Sequence, residues 1–550
     1  MRTLLKTLTA TALALAACAN PLDACTNILV TKGASKDRAP MISYSADSHS
    51  LYGELYFKAG GRHHAGTMRE IFDWDAAPHF NKGKRLGAIP EAPVTYTRVG
   101  NMNEHQVVIG ETTFGGRKEL AGPSGIIDYG SLIYIALERA KTAREAIQVM
   151  TDLVAEHGYA SSGESFSIAD KNEVWIMEMI GKGKDQKGAV WIAWRIPDGM
   201  ISGHANAARI RQIALNDPAN CLYAKDLVSF ARSKGWYKGE DKDFSFADVY
   251  APSTFGSRRG CDGRVWSVFN RAAKGANVSI DWAKAVPGAK PMPLWVKPDK
   301  PLGVKDVMEL MRDHFTGTEF DMTQDVGAGP FELPYRWRPM GFKADGADHV
   351  HERAISTQQT AWSYVSQSRG ELPDAIGGVL WFGVDDTYTT CYFPMYAGVR
   401  SVPTSWAEGT GSFDQFSWDS AHWVFNAVSN WTYSRWSDMI QDVQKVQREL
   451  EGRYLAEQPE VDAQALALYK QNPGLARDFL TAYSTRQGEE LVARWRKLGE
   501  HLMWKYMDGN VRTNEGHVTH PPYRKAWTDR IGKELGDRNK VRPIVQGEED

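Results

Sequence analysis

The chain holds five cysteines (Cys18, Cys25, Cys221, Cys261 and Cys391) and 14 histidines. A thiol attacks as its thiolate, and a thiol with a pKa near ~8.5 is only a few per cent ionised at neutral pH, so a nucleophilic cysteine needs a base. None of the histidines sits in a local signature of a papain-like or caspase-like site. Cys25 offers another route. If the Ala24–Cys25 bond is cut, the new α-amino group, with an ordinary pKa of about 8, lies two bonds from the carbon that carries the sulfur. Thiol, base and later proton donor to a leaving amine then belong to one residue. Such a site still needs a carboxylate to orient the amine, and backbone N–H groups or Asn side chains to hold an oxyanion. An uncleaved Cys25 reads instead as a small buried hydrophobe at the start of a strand.

The residues before Cys25 bear on that choice. Arg2 and Lys6 precede a small apolar stretch from Leu8 to Ala17, and small residues follow, which is the layout of a secretory signal peptide. Residues 1–24 are therefore expected to be a leader that is removed, with export from a bacterial cytoplasm to the periplasm or beyond. Two cuts compete. Leu15-Ala16-Ala17-Cys18 has the form of a bacterial lipobox and would anchor the chain through a lipid on Cys18, whereas Leu22-Asp23-Ala24 ends in a small residue just before Cys25. The two can also act in turn.

The elements that would position Cys25 follow directly. Thr26–Thr31 is rich in β-branched residues and reads as a strand, and Met41–Asp47 reads as its return after the turn-rich 33–40. That hairpin brings Cys25 beside Asp47. Val94–Val99 and Gln106–Gly110 read as strands around the turn Asn101–Glu104. Residues 129–157 place apolar side chains at helical spacing. Further strand pairs, 165–169 with 174–180 and 190–196 with 200–204, flank Asp170–Asn172 and Pro197–Gly199. Strand character returns at 378–398 around Asp385-Asp386. From about 418 to 510 the pattern is helical, interrupted at Pro459 and Pro473, and the tail from about 509 is polar. Hairpins, a long helix, more hairpins and then helices describe an α+β fold rather than alternating βαβ units. The expected division is leader 1–24, a sheet-rich domain 25–417, and a helical region with a polar tail, 418–550.

Composition narrows the class. The chain is 42% hydrophobic and 24% charged with a formal net charge of -2, so it can bury a large core and has no basic excess of the kind that nucleic acid asks for. No apolar run after the leader is long enough for a membrane-spanning helix. Five cysteines do not make a disulfide scaffold, and a single bridge such as Cys221–Cys261 is left open. No Cys/His spacing suggests zinc; His63-His64 is adjacent and reads as a loop. No cofactor is implied.

Several ordered blocks carry a resemblance. Ala24-Cys25-Thr26-Asn27, Ser43–His49, Ile109–Arg117, Ser161–Phe166, Glu173–Glu178, Gly203–Ile210 and Gly383–Thr390 together resemble the dipeptidase A and secernin-like cysteine peptidases, which are N-terminal nucleophile hydrolases. The likeness runs over nearly all of the chain after the leader. It implies a four-layer αββα sandwich of two antiparallel sheets, a Cys25 nucleophile freed by processing, and dipeptide or short-peptide substrates. The related penicillin V acylases and bile salt hydrolases imply catalytic roles for Asp47, Asn103, Asn206 and Arg271, with Arg264 as a substitute for the last. The plain alternatives are a turn cap for Asp47, a turn residue for Asn103, a helix cap for Asn206 and a structural ion pair for Arg271. Those amidases carry an Arg three residues before the Asp where this chain has Tyr44, which favours the dipeptidase branch. Glu111 and Asp385-Asp386 stay outside the catalytic set, as substrate-binding or buried hydrogen-bonding groups. Two other functions compete: an amidase for non-peptide N-acyl compounds, and a non-catalytic lipoprotein that binds at the cell surface. A homo-oligomer is left open.

Overall fold

The computed structural model describes residues 25–74 and 83–542. The expected leader, the lipobox cysteine Cys18 and the residues before the Ala24–Cys25 bond lie outside the described residues. β1 (Thr26–Val30) and β2 (Met41–Asp47) form the expected hairpin, with Thr26 opposite Ser45 and Val30 opposite Met41. Three short strands, β3 (Phe57–Lys58), β4 (Arg98–Val99) and β5 (Met102–Asn103), lead into β6 (Val108–Phe114). The helical stretch at 129–157 is two helices, α1 (Tyr129–Arg139) and α2 (Ala143–His157). Asp128 caps the first by accepting from the Ser131 N–H, and Thr142 starts the second by accepting from the Glu145 N–H, after the backbone turns extended at Ala140.

β7 (Gly163–Ala169) and β8 (Val174–Gly181) pair antiparallel through a turn in which Asp170 accepts from the backbone of Asn172 and Glu173. β9 (Ala189–Arg195) and β10 (Ile201–His204) flank the expected turn but do not pair with each other. β9 stays with β8, whereas β10 crosses over and pairs with β1. The remaining strands of the two large sheets are β11 (Cys221–Tyr223), β12 (Trp295–Val296), β13 (Thr360–Ser368), β14 (Gly378–Val384) and β15 (Phe393–Tyr396). One sheet has the order β12-β10-β1-β2-β13-β14-β15, and the other β11-β9-β8-β7-β6-β5-β4-β3.

The two sheets pack through β1 and β2 of the first against β6 and β7 of the second. α1 and α2 cover the outer face of the second sheet. α3 (Gly263–Ala272), α4 (Val304–Met311), α5 (Ala421–Ser434), α6 (Trp436–Gln471) and α7 (Pro473–Tyr506) cover the first. The architecture is the four-layer αββα sandwich. Strands covered on both faces need no polar side, and β1, β2, β7, β8, β13 and β14 are buried along their whole length. The helices beyond 417 pack directly on β14 and β15, so they belong to the outer layer of the sandwich. Pro459 does not end α6, and Pro473 opens α7, a place where its missing N–H leaves no hydrogen bond unmade.

The tail is a surface extension. A short hairpin, with Val511–Arg512 paired to Val518–Thr519, precedes a helix, Lys525–Leu535, that buries no residue. Cys25, Cys221, Cys261 and Cys391 are all free thiols, so the Cys221–Cys261 bridge is not made. Among the described residues no helix is long and apolar enough to cross a membrane, and no cluster of His, Cys, Asp and Glu has the geometry of a metal site.

Candidate active site

The β1–β2 register places Cys25 one step beyond the Thr26–Ser45 pair, at the end of the hairpin where Asp47 closes β2. Cys25 is buried. Its sulfur lies 3.7 Å from Glu111 Oε1 and 3.8 Å from the Tyr44 hydroxyl, which itself donates to Glu111 Oε1 at 2.7 Å. Glu111 comes from the middle of β6, in the facing sheet. The approach depends on Gly110: a Cβ there would lie 2.6 Å from the Asn27 amide and 3.0 Å from the Tyr364 hydroxyl. Burial pushes the Cys25 thiol well above its ordinary pKa, and the charges of Glu111 and Asp47 push it further; the Asp47 backbone N–H and the Tyr44 hydroxyl partly offset this. Left to these neighbours, the thiol stays protonated.

The Asp47 carboxylate is buried and fully engaged. Arg353 donates to Oδ2 at 2.6 Å, Ser45 to Oδ2 at 3.0 Å, and Thr360 to Oδ1 at 2.7 Å. Asp47 therefore stands beside the thiol but holds Arg353 with its carboxylate, and meets Cys25 through its backbone N–H. Arg338 belongs to the same cationic group: its pKa is lowered to about 10 by burial and by Arg353, with Asp47 opposing, and its Nε lies 2.9 Å from His49 Nε2.

Arg264 holds the main chain of the nucleophile. Its Nη1 donates to the Cys25 carbonyl at 2.6 Å and to Thr26 Oγ1 at 2.8 Å; its Nη2 donates to Asn206 Oδ1 at 2.9 Å and to the Ala205 carbonyl at 3.1 Å. Asn206 sits at φ 61°, a left-handed conformation that Asn tolerates, and its amide donates to the Thr113 carbonyl at 2.7 Å. The loop is anchored three and four residues on, where the Glu178 carboxylate accepts from the backbone N–H groups of Arg209 and Ile210. Burial raises the Glu178 pKa to about 7 against those hydrogen bonds.

Three of the five expected site residues thus meet: Cys25, Asp47 and Asn206. The other two do not. Asn103 donates to the carbonyls of Leu137 and Ala140, each at 2.7 Å, and accepts from the backbone of His105 and Val107, each at 3.0 Å. Both of its amide hydrogens close the C-terminal end of α1, which leaves none for an oxyanion. Arg271 is ion-paired with Asp313 and donates to the Thr316 carbonyl. It lies two turns, roughly 10 Å, along α3 from Arg264, its expected substitute, on the same face, and it is Arg264 that stands beside Cys25. Tyr44, Glu111 and Arg353 are the groups that sequence reasoning left out. The alternation of β6 offered a signal for Glu111, whereas Arg353 lies 306 residues from Asp47 and had none.

His204, on β10 next to β1, is not a base for this thiol. Its two ring nitrogens are each 2.7 Å from Thr112 Oγ1 and Ser167 Oγ, and burial, with Arg209 in support, lowers its pKa to about 3.

Comparisons with known proteins identify the family. A probable dipeptidase of Latilactobacillus sakei is 25% identical over 418 residues, covering 74% of this chain and 80% of that protein. A probable dipeptidase of Salmonella dublin is 26% identical over 393 residues, 68% of this chain and 82% of its own. A probable dipeptidase B of Streptococcus pyogenes serotype M1 is 21% identical over 373 residues, with 68% and 69% covered. The profile of peptidase family C69 matches residues 24–449, from the residue before Cys25 into α6, so the chain belongs to peptidase family C69 and is a peptidase.

Proposed function

We propose that the protein is a cysteine dipeptidase whose nucleophile is the Cys25 thiol, released as the N-terminal residue when residues 1–24 are removed. The observation that carries this reading is the set of groups around the sulfur. Among the described residues its hydrogen-bonding neighbours are the Tyr44 hydroxyl, the Glu111 carboxylate and the Asp47 N–H, with no histidine among them. Burial and two carboxylates hold the thiol protonated, so a base of higher basicity than a carboxylate is required, and a free α-amine at Cys25 is that base. The names of the relatives from Latilactobacillus sakei and Salmonella dublin support a dipeptide as substrate.

In this mechanism the Cys25 amine takes the thiol proton, and the sulfur bonds to the carbonyl carbon of the first residue of the dipeptide. The negative charge moves to the carbonyl oxygen. Asn206 carries a second amide N–H beyond the one bound to Thr113, and we assign it to that oxyanion. As the tetrahedral intermediate collapses the C–N bond breaks, and the leaving amine takes the proton back from the Cys25 ammonium. Water then cleaves the thioester, with its proton passing to the amine and back to sulfur. Arg264 fixes the Cys25 carbonyl throughout, which sets the direction of the amine and the thiol. We further infer export by a cleaved signal peptide, from the basic, apolar and small residues of positions 1–24.

Cys25→Ala should abolish hydrolysis of a dipeptide panel, and intact mass of the active protein should begin at Cys25. Full activity in the Ala variant, or in a chain that keeps residues before Cys25, would sink the proposal.

A further inference from the structure

Three guanidinium groups gather where β2 ends, and two of them are engaged with the fold. Arg264 holds the Cys25 carbonyl and Asn206, and Arg353 holds the Asp47 carboxylate. Arg338 is different. Among the described residues no carboxylate lies within ion-pairing distance of it, and its one hydrogen bond runs from Nε to His49 Nε2 at 2.9 Å. Its two Nη groups, the fork that fits a carboxylate, are left open. Arg338 is half-buried near a second cation whose own carboxylate is already taken, so a positive charge is left over. Burial and Arg353 lower its pKa by more than Asp47 raises it, as expected of a cation short of an anion.

The main chain sets its place. A hairpin, Gly341–Ala344 paired with Ala347–Val350, returns the chain so that the His351 N–H donates to the Met340 carbonyl at 2.9 Å. Arg338 and Arg353 stand at its two feet. Arg353 is seated on Asp47, whose N–H meets the Cys25 sulfur. His49, which holds Arg338, is two residues beyond Asp47, at most about 7 Å of extended chain. Over those two residues the chain passes from the core to the surface: Asp47 is buried and His49 exposed. Arg338 therefore lies on the open side of the nucleophile.

A dipeptide brings an anion to that side. The attacked carbonyl carbon comes within about 3–3.5 Å of the sulfur. The C-terminal carboxylate carbon is three bonds further on, so its oxygens lie within about 5 Å of the attacked carbon. Resting on the dipeptidase reading above, we propose that Arg338 is the receptor for the C-terminal α-carboxylate of the substrate, with His49 fixing the Nε edge of the guanidinium and the Nη fork turned to the carboxylate. A tripeptide cleaved at the same bond carries its carboxylate about 3.5 Å further away, and a peptide amide carries none. One guanidinium then measures the leaving side of the substrate and selects a single free residue there.

The test compares alanyl-alanine with alanyl-alanine amide, which lacks only the negative charge, on mature wild type, Arg338→Gln and Arg338→Lys. Where a dipeptide panel gives a better substrate, that dipeptide and its amide replace the pair. Wild type should prefer the free acid by about 100-fold or more in kcat/KM, as sites built to pair a polar group reject the analogue without it. In Arg338→Gln that ratio should fall to within about tenfold of one. In Arg338→Lys, which keeps the charge but not the fork, it should fall by about tenfold. A wild-type ratio near one, or equal losses on both substrates in the Gln variant, would overturn the proposal. Should Arg338→Gln fail to fold, the Lys variant decides, and a ratio unchanged from wild type overturns the proposal. Failure of the dipeptidase reading looks different: wild type then cleaves no dipeptide of the panel, and this inference falls with it.

Discussion

Two buried carboxylates flank one thiol, and they are built differently. Asp47 ends β2 and is enclosed by Arg353, Thr360 and Ser45, so its charge is balanced within the fold. Glu111 projects from the facing sheet and shares its Oε1 between the Tyr44 hydroxyl and the Cys25 sulfur. The first arrangement makes the end of the hairpin rigid. The second puts a negative charge at the reacting centre. The difference separates a carboxylate that closes the end of its own strand from one that reaches the sulfur from the facing sheet, although both lie beside the same residue.

The comparison is broken most directly through the partners. Arg353→Met leaves the Asp47 charge buried without its guanidinium, which should cost about 3–5 kcal/mol of stability in urea unfolding. Tyr44→Phe removes one hydroxyl from Glu111 and should cost only about 1–2 kcal/mol. Equal losses from the two variants would mean that both carboxylates are structural.

A second experiment reads the two charges at the sulfur itself. Both raise the thiol pKa, Glu111 by more than Asp47. Removing a negative charge favours the thiolate, so the pH midpoint for alkylation of Cys25 by iodoacetamide should fall in Glu111→Gln. It should fall less in Asp47→Asn, where Arg353 loses its partner and remains nearby as a compensating cation. A larger fall in the Asp47 variant would reverse the assignment of roles.

How much of this was legible in the sequence depends on range. The hairpin that sets Cys25 beside Asp47 is local: β-branched residues, a turn and a return strand define it, and the observed register agrees. The break between α1 and α2 was missed because apolar spacing continues across it, while the extended backbone at Ala140 ends the first helix and the Thr142 cap starts the second. The separation of β9 from β10 was missed for another reason. A Pro-Asp-Gly turn marks a change of direction but does not say which sheet the next strand joins; pairing of His204 with Asn27 decides that. Asn103 resembled an oxyanion donor because its turn resembled one in the related amidases. Its hydrogen bonds to α1 depend on a helix that begins 26 residues later. Arg353 and Thr360 reach Asp47 from more than 300 residues away, beyond any periodicity.

The smallest expected effect tests the choice between two arginines on one helix. Arg264 touches the carbonyl of Cys25, the hydroxyl of Thr26 and the side chain of Asn206, so it links the nucleophile to the loop that carries the oxyanion donor. Arg271 is two turns away, partly exposed, and occupied by Asp313 and the Thr316 carbonyl. Arg264→Lys keeps a charge but loses the planar fork that reaches four acceptors at once, and kcat should fall by ~10²-fold with the orientation of the Cys25 main chain. Arg271→Ala takes the guanidinium from the buried Asp313 carboxylate and should lower stability, yet change kcat/KM by less than about threefold. A loss in the Arg271 variant as large as that in the Arg264 variant would show that the far end of α3 reaches the reacting centre through a contact that the free enzyme does not make.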